Sequence, residues 1–252
     1  MKLSPDALAN REAWDRESES YQQRHGKQLG GTDFVWGVWS IPESQLNILG
    51  DVRGKRVLEL GCGAAQLSVA MAKMGADITA LDNSAGQLNH ARTHMAANDC
   101  DFPLIHSSAD DVPLPDASFD LIFCDHGAMT FAPTDAVLKE VHRLLVPGGE
   151  LIFNIQSPLH ELCYDPATQT FTKNLVQDYF TLGRIDDTPA GGMVYYQHPF
   201  GEWIRLFTAH GFTILSLTEL QPPANAISSY DFAPHDWARR FPAENIWKIR
   251  KL

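Results

Sequence analysis

Short apolar runs alternate with stretches of helical periodicity between Lys55 and Asn154. Turn residues flank each run, as is typical of strands, and the stretches between them carry apolar residues at helical spacing. The predicted strands are RVLEL (56–60), DITALD (77–82), FPLIH (102–106), FDLIFC (119–124) and ELIFNI (150–155). The predicted helices are 64–75, 84–98 with Ser84 as N-cap, and 132–149, which we expect Pro147 and the following glycines to end. This alternation predicts an α/β, doubly wound sheet that binds its ligand at the carboxyl ends of the strands.

The segments before and after this block differ from it in pattern. Residues 1–50 are polar and aromatic and are predicted to form an N-terminal helical cap, followed by one domain over residues 51–252. Residues 157–199 are too long for an ordinary connection, so we expect a lid-like insertion after the fifth strand. A helix over 198–212 and two strands, 212–220 and 245–252, then complete a seven-stranded sheet with an antiparallel hairpin.

Composition excludes several classes of protein. The chain has 252 residues, 44% of them hydrophobic, which is ordinary globular usage and enough for a substantial core. Its net charge of −11 disfavours a nucleic-acid or anionic lipid partner. The chain contains neither a signal-like start nor an apolar run long enough to span a membrane, so we expect a cytoplasmic protein with no membrane partner. Four widely spaced cysteines indicate reduced thiols rather than disulfides or a zinc site.

The stretch VLELGCG (57–63) predicts a cofactor site. Glu59 lies near the end of a buried strand, and Gly61 and Gly63 let the backbone turn closely around a ligand. Asp82 ends the next strand, where a carboxylate can accept hydrogen bonds from both hydroxyls of a ribose. A tight turn without a ligand is the plain alternative, but the combination of the glycine turn with Asp82 favours an adenosine cofactor.

The residue that follows the glycine turn distinguishes between adenosine cofactors. A dinucleotide fingerprint requires a small residue where this chain has Gln66, which disfavours pyrophosphate. Glu59 suits a ligand with a positively charged amino group. S-adenosylmethionine (SAM) carries such a group and has no phosphate, so the site favours SAM, with S-adenosylhomocysteine as the product.

The motifs VLELGCG, LDNS (81–84), VPLPDASFDLIF (112–123) and LKEVHRLLVPGGELIF (138–153) resemble those of class I SAM-dependent methyltransferases, in particular the small-molecule branch of the ubiquinone and menaquinone biosynthesis type. The resemblance implies a Rossmann-like methyltransferase domain over residues 51–252. It further implies contacts with the cofactor from the following residues: Glu59, Gly61, Cys62 and Gly63 at the methionine end, Asp82 at the ribose, Asn83, Ala109 and Asp110 at the adenine, and Cys124. Ser108 stands where the family often has an Asp, so Asp110 is the candidate acceptor for the adenine amino group.

Methyl transfer needs alignment above all, and a base only where the acceptor must lose a proton. His126, in the loop after the fourth strand, is the candidate catalytic base; a purely structural role for it is equally open. Trp36, Trp39, Tyr195 and His198 are candidate acceptor-binding residues, although single aromatic residues more often belong to the core. The pairs His90–His94 and Asp110–Asp111 lack further ligands, so no metal is expected.

The sequence therefore predicts an enzyme that transfers a methyl group from SAM to O, N, S or C of a small-molecule acceptor. Two alternatives remain open: an NAD(P)-dependent oxidoreductase on the same sheet, and a SAM-binding protein without catalytic activity. The sequence does not decide between a monomer and a homodimer.

Overall fold

A single mixed sheet of seven strands organises the protein. The computed structural model describes residues 3–29, 31 and 33–252. The strands are β1 (Arg56–Leu60), β2 (Asp77–Asp82), β3 (Leu104–His106), β4 (Phe119–Asp125), β5 (Leu145–Gln156), β6 (Phe212–Glu219) and β7 (Glu244–Lys251). All seven predicted strands are confirmed.

The order of the strands in the sheet is β6-β7-β5-β4-β1-β2-β3. The neighbouring pairs β3–β2, β2–β1, β1–β4 and β4–β5 are parallel, whereas β7 runs antiparallel to both β5 and β6. The chain order reverses between β1 and β4, which lie side by side. In a doubly wound sheet this reversal opens a crevice at the carboxyl ends of the strands, so it sets the position of the ligand site.

Five long helices accompany the sheet: α1 (Pro5–Leu29), α2 (Gln66–Lys73), α3 (Ala85–Ala97), α4 (Thr134–Leu144) and α5 (Phe200–Ala209). The Ser84 side chain accepts a hydrogen bond from the Gln87 N–H, which confirms the predicted N-cap of α3. Two large clusters of buried apolar side chains fill the core. Within the described ranges we find no helix with the length and hydropathy required to cross a bilayer.

The predicted helix over 132–149 is too long. Helix α4 ends at Leu144, and the backbone is already extended at Leu145, where β5 begins. Proline disfavours helical geometry at the residue before it, so Pro147 acts on Val146 and the extended run begins earlier than the apolar pattern indicated. Leu145 pairs with Phe119 of β4, and a register shift follows on β4 between Phe119 and Leu121.

Three segments outside the alternating block carry shorter elements. The N-terminal segment has α1, a hairpin of two short strands (Val35–Trp36 and Ile41–Pro42) and a short helix (Glu43–Leu46). The insertion over 157–199 contains a helix (Pro158–Cys163), two small hairpins (Tyr164–Asp165 with Thr170–Phe171, and Arg184–Asp186 with Val194–Tyr196) and two 3-10 turns (Tyr179–Thr181 and Thr188–Ala190). Short helices also follow β4 (Ala128–Phe131) and precede β7 (His235–Ala238).

Candidate active site

A cavity of about 490 Å³ lies at the carboxyl ends of β1, β2 and β4. This volume falls within the range of small-molecule sites. One part of the wall comes from the loops after these strands, and it includes Glu59, the glycine turn and Asp82. The other part is mainly aromatic and is drawn from α1, the short helix after β4, the insertion and the loop before β7: Trp14, Tyr21, Phe131, Tyr195, Tyr230 and Phe232. The two parts form one continuous cavity.

The glycine turn needs glycine for two different reasons. Gly61 has φ +76°, and a Cβ there would lie 2.5 Å from the Ala128 nitrogen, so the loop after β1 packs directly on the loop after β4. Gly63 also has a positive φ, +53°, but a Cβ there would meet nothing closer than 3.8 Å. Gly61 is thus needed for packing within the protein, whereas the space beside Gly63 is free for a ligand.

Asp82, the predicted ribose acceptor, also stabilises the glycine turn and the start of α3. Its Oδ2 accepts a hydrogen bond from the Gly63 N–H (2.8 Å), and its Oδ1 accepts one from the Ser84 N–H (2.8 Å). The residue is 9% exposed and lines the cavity. Burial raises the pKa of this carboxyl group, against the effect of the two backbone hydrogen bonds. Each oxygen retains acceptor capacity for a ligand hydroxyl.

Glu59 is a buried carboxyl group at the cavity wall. Burial raises its pKa to about 8, and the Ser68 hydroxyl donates a hydrogen bond to its Oε2. A carboxyl group that is costly to ionise in this environment would be stabilised as a carboxylate by a neighbouring ammonium group. Glu59 therefore suits the amino group of a ligand that occupies the glycine turn.

The other predicted cofactor residues divide into two groups. Cys62, Asn83 and Ala109 line the cavity, as does Ser108, which sequence reasoning treated as a departure. Asp110 and Cys124 are outside the lining. The Asp110 carboxylate accepts a hydrogen bond from the Ser4 hydroxyl, and the fully buried Cys124 thiol accepts one from the Met129 N–H. These partners explain why neither side chain is directed at a ligand in this structure.

Helix α1 lies along both parts of the cavity wall. Asn10, Trp14 and Gln22 project into the cavity from it. Asp15 of the same helix accepts hydrogen bonds from the Ser84 hydroxyl (2.6 Å) and the Gly86 N–H (3.0 Å), at the start of α3. The polar pattern of residues 1–50 predicted a cap but did not indicate these contacts, because each depends on a partner about 70 residues away.

His126 lies in the loop after β4 with φ +49° and lines the cavity. Its Nε2 is 2.7 Å from Oε1 of Glu244, the first residue of β7. Burial alone would lower the pKa of His126, but the hydrogen bond and charge of Glu244 and the charge of Asp125 outweigh burial and raise it. Sequence reasoning missed Glu244, since nothing local marks a residue 118 positions away as the partner of His126.

Ligand atoms of Asp125, His126 and Glu244 lie within 4.8 Å of one another, a spacing that a metal ion could bridge. The carboxylate oxygens are, however, largely engaged by N–H donors. The Asn154 amide donates to Asp125 Oδ1 (2.7 Å) and to Glu244 Oε1 (2.9 Å), and the Gly37 N–H donates to Asp125 Oδ2 (2.9 Å). This donor pattern suits a fixed group of hydrogen-bonded side chains rather than a metal centre.

Of the four predicted acceptor-binding residues, only Tyr195 lines the cavity. Trp36 is fully buried and donates its indole N–H to Glu43, and Trp39 packs in the same apolar cluster. The His198 ring is hydrogen-bonded to the Thr134 hydroxyl and packs against Trp203. The structure therefore corrects the prediction for Trp36 and Trp39, which are buried in the core, and for His198, which is half-buried, engaged by Thr134 and Trp203, and outside the cavity lining.

Comparisons with known proteins point to one family. Residues 58–153 match the family model described as "Methyltransferase domain". The demethylmenaquinone methyltransferase of Clavibacter sepedonicus is 30% identical over 139 residues, which are 55% of this chain and 54% of that protein. The ubiquinone biosynthesis O-methyltransferase of Pseudomonas syringae pv. tomato is 30% identical over 151 residues, 59% of each chain. The chain thus spans little more than half the length of these relatives.

Solved structures support the fold. An S-adenosylmethionine-dependent methyltransferase from Mesorhizobium loti superposes with a TM-score of 0.67 at 23% identity, over 82% of this chain and 96% of that one. This likeness shows the same architecture.

Proposed function

The central part of this chain is a class I SAM-dependent methyltransferase domain, and from that premise we propose that the protein transfers the methyl group of SAM to a small-molecule acceptor. One observation carries the proposal. A single cavity joins the glycine turn and Asp82 on one side to an aromatic compartment with His126 on the other. Such a cavity can hold a cofactor and an acceptor in contact, which is what an in-line displacement requires.

The cofactor side fits SAM residue by residue. We place its amino group at Glu59, its methionine portion along Gly61 and Gly63, and its ribose hydroxyls at Asp82. Asn83 and Ala109 are assigned to the adenine; Asp110 is left out of this assignment, since Ser4 occupies its carboxylate. When bound, SAM supplies an electrophilic methyl carbon on a sulfonium, so the protein needs to add alignment and, for some acceptors, a base.

The acceptor side suits a planar molecule. Its aromatic lining, among it Trp14, Tyr195 and Phe232, offers faces for a ring. His126 is positioned to accept a proton from an acceptor held there. The named activities of the two relatives also involve small molecules, which supports this class of acceptor. A cytoplasmic location stays a prediction.

The test is a methylation assay with SAM and separate panels of phenols, amines, thiols and carboxylates, with S-adenosylhomocysteine formation as the readout. We expect acceptor-dependent turnover. Replacement of His126 by Asn should lower turnover about 10²–10⁴-fold, the usual contribution of a general base, and leave SAM affinity unchanged. An unaffected rate in this variant would remove His126 as the base.

The two alternatives give different results in the same experiments. An oxidoreductase would bind NAD(P) in place of SAM, and a SAM-binding protein without activity would bind SAM but release no S-adenosylhomocysteine with any acceptor. Gln66 counts against the first alternative, because a dinucleotide fingerprint requires a small residue at this position. In the structure its long side chain stands at the start of α2, and its amide donates a hydrogen bond to the Gln22 side chain (3.0 Å). The aromatic compartment next to His126 counts against the second.

A further inference from the structure

The turn at Gly37 and Val38 binds the two carboxylates that flank His126. Its consecutive backbone N–H groups donate to Asp125 Oδ2 (2.9 Å) and to Glu244 Oε1 (3.0 Å). Gly37 has φ +70°, and a Cβ at this position would lie 2.3 Å from Glu244 Oε1. A glycine is therefore required for the turn to lie against the carboxylate.

Glu244 is held rigidly by these contacts. Its side chain is buried, and its Oε1 accepts from the Val38 N–H, the Asn154 amide (2.9 Å) and the His126 ring (2.7 Å). Its Oε2 has no hydrogen-bond partner among the described residues. His126 is thus the cationic partner available to this buried charge. The buried, hydrogen-bonded geometry of this pair distinguishes it from a surface salt bridge, whose side chains are mobile and exposed to solvent.

The contact with Glu244 fixes which ring nitrogen of His126 carries the proton. A carboxylate can only accept, so Nε2 is the donor, and in the neutral ring Nδ1 is left with a free lone pair. Although burial alone would raise the pKa of Glu244, the hydrogen bond and charge of His126 outweigh it and lower the pKa, which keeps the group ionised. The His126 side chain is 23% exposed and borders the cavity, so an acceptor can approach the ring.

We propose that Glu244 is a positioning residue for His126, holding the ring so that Nδ1 takes a proton from a hydroxyl on a planar acceptor; this inference rests on the proposed methyl transfer. In the step, the acceptor oxygen forms a bond to the methyl carbon while its O–H proton passes to Nδ1. The carbon–sulfur bond breaks and its electron pair stays on sulfur, giving S-adenosylhomocysteine. The proton on His126 then leaves to solvent.

The need for a positioned base restricts the acceptor. A carboxylate is already ionised at neutral pH, and a thiol ionises with little help, whereas a phenolic or enolic hydroxyl with a pKa of about 10 keeps its proton. An imidazole near neutrality is well matched to such a group. The carboxyl groups of Asp82 and Asp125 at the cavity would also, when ionised, repel an anionic acceptor. The structure therefore favours a neutral hydroxyl on a ring.

The first test measures His126 directly, without any acceptor. In ¹⁵N-histidine-labelled protein, the His126 signals are assigned with His126→Asn and followed over pH. We expect the neutral ring to carry its proton on Nε2. In Glu244→Gln, which keeps the shape of the side chain but loses its charge, the pKa of His126 should fall by about 1–3 units. The charge of Asp125 and the buried rings of His160, Tyr21 and Tyr230 are the same in both proteins.

The second test is kinetic. In Glu244→Gln we expect kcat with a phenolic acceptor to fall about 10²-fold, within the range that a general base contributes, while the KM for the acceptor stays unchanged. The acidic limb of the kcat/KM profile should move to lower pH together with the pKa of His126. Glu150→Gln is the matched control: this carboxylate lies on β5 near the other end of its pairing with β7, bound to Lys248 and Arg250.

Four results would overturn the inference. These are an unchanged His126 pKa in Glu244→Gln, a neutral ring protonated on Nδ1, amine turnover in place of hydroxyl turnover, and stoichiometric zinc binding that is required for activity and lost with Glu244. If no acceptor of any class is methylated, the proposed function fails and takes the catalytic assignment with it. The NMR result for the ring would then still report whether Glu244 orients it, so the two failures are distinguishable.

Discussion

Replacement of Asp82 by Asn is the most informative change on the cofactor side. The Asp82 carboxylate accepts hydrogen bonds from the N–H groups of Gly63 and Ser84, each at 2.8 Å, and faces the cavity. An Asn side chain keeps one oxygen but presents an NH₂ group in place of the other. We expect the oxygen to stay with Ser84, so that the amide N–H opposes the Gly63 N–H and one ribose hydroxyl loses a charged acceptor.

The expected loss of SAM affinity follows from the number of hydrogen bonds lost, which is one. A hydrogen bond to a charged group contributes about 1.5–3 kcal/mol. The loss of one such bond to the ribose should therefore weaken SAM binding about 10-fold to 150-fold. The turn at Gly63 lies on the same side of the site, so any displacement of it adds to this loss.

Calorimetric titration with SAM measures the change. Asp77→Asn is the matched control, since Asp77 is an exposed residue at the opposite end of the same strand, β2. It should bind SAM with the affinity of the unmodified protein. Wild-type affinity in Asp82→Asn, with the protein folded, would refute the placement of the ribose at this carboxylate.

Three further predictions concern the glycine turn, helix α1 and Glu59. Gly61→Ala should destabilise the fold by more than the roughly 1–2 kcal/mol that a left-handed alanine costs, because its Cβ would lie 2.5 Å from the Ala128 nitrogen. Gly63→Ala should destabilise the fold by only about 1–2 kcal/mol and should mainly weaken SAM binding. Denaturant unfolding measures the first effect and calorimetry with SAM the second. Asn10→Ala removes three hydrogen bonds of a buried side chain to backbone groups and should lower the free energy of unfolding by about 2–4 kcal/mol, measured by urea titration. Burial raises the pKa of Glu59 to about 8. The ammonium group of bound SAM should lower the pKa of Glu59, so the carboxyl group should release a proton on binding and SAM affinity should rise between pH 6 and 8. A binding enthalpy independent of the buffer's ionisation enthalpy would contradict this.

The sequence predicted the sheet well because its signals are local. Each strand is a short apolar run bounded by turn residues, and the glycine turn and Asp82 lie at the ends of adjacent strands, so their meeting follows from the topology. The end of α4 was misplaced because Pro147 disfavours helical geometry at Val146 and the pairing of Leu145 with Phe119 extends β5 backwards, and apolar periodicity contains neither effect.

The acceptor side was predicted poorly for the same physical reason. Glu244 meets His126 only because β7 lies beside β5, and the loop before β7 brings Tyr230 and Phe232 to the cavity. Trp36 and Trp39 were expected to contact the acceptor. In the structure the backbone between them, at Gly37 and Val38, reaches the site, while both rings are buried in the core.

Parallel calorimetric titration of the protein with SAM, S-adenosylhomocysteine and NAD tests the central claim most directly. The account predicts that SAM and S-adenosylhomocysteine each bind at one site per chain, more weakly in Asp82→Asn, and that NAD does not bind. Binding of NAD alone would contradict the account, because it would place a dinucleotide at the glycine turn and make an oxidoreductase the better explanation of this cavity.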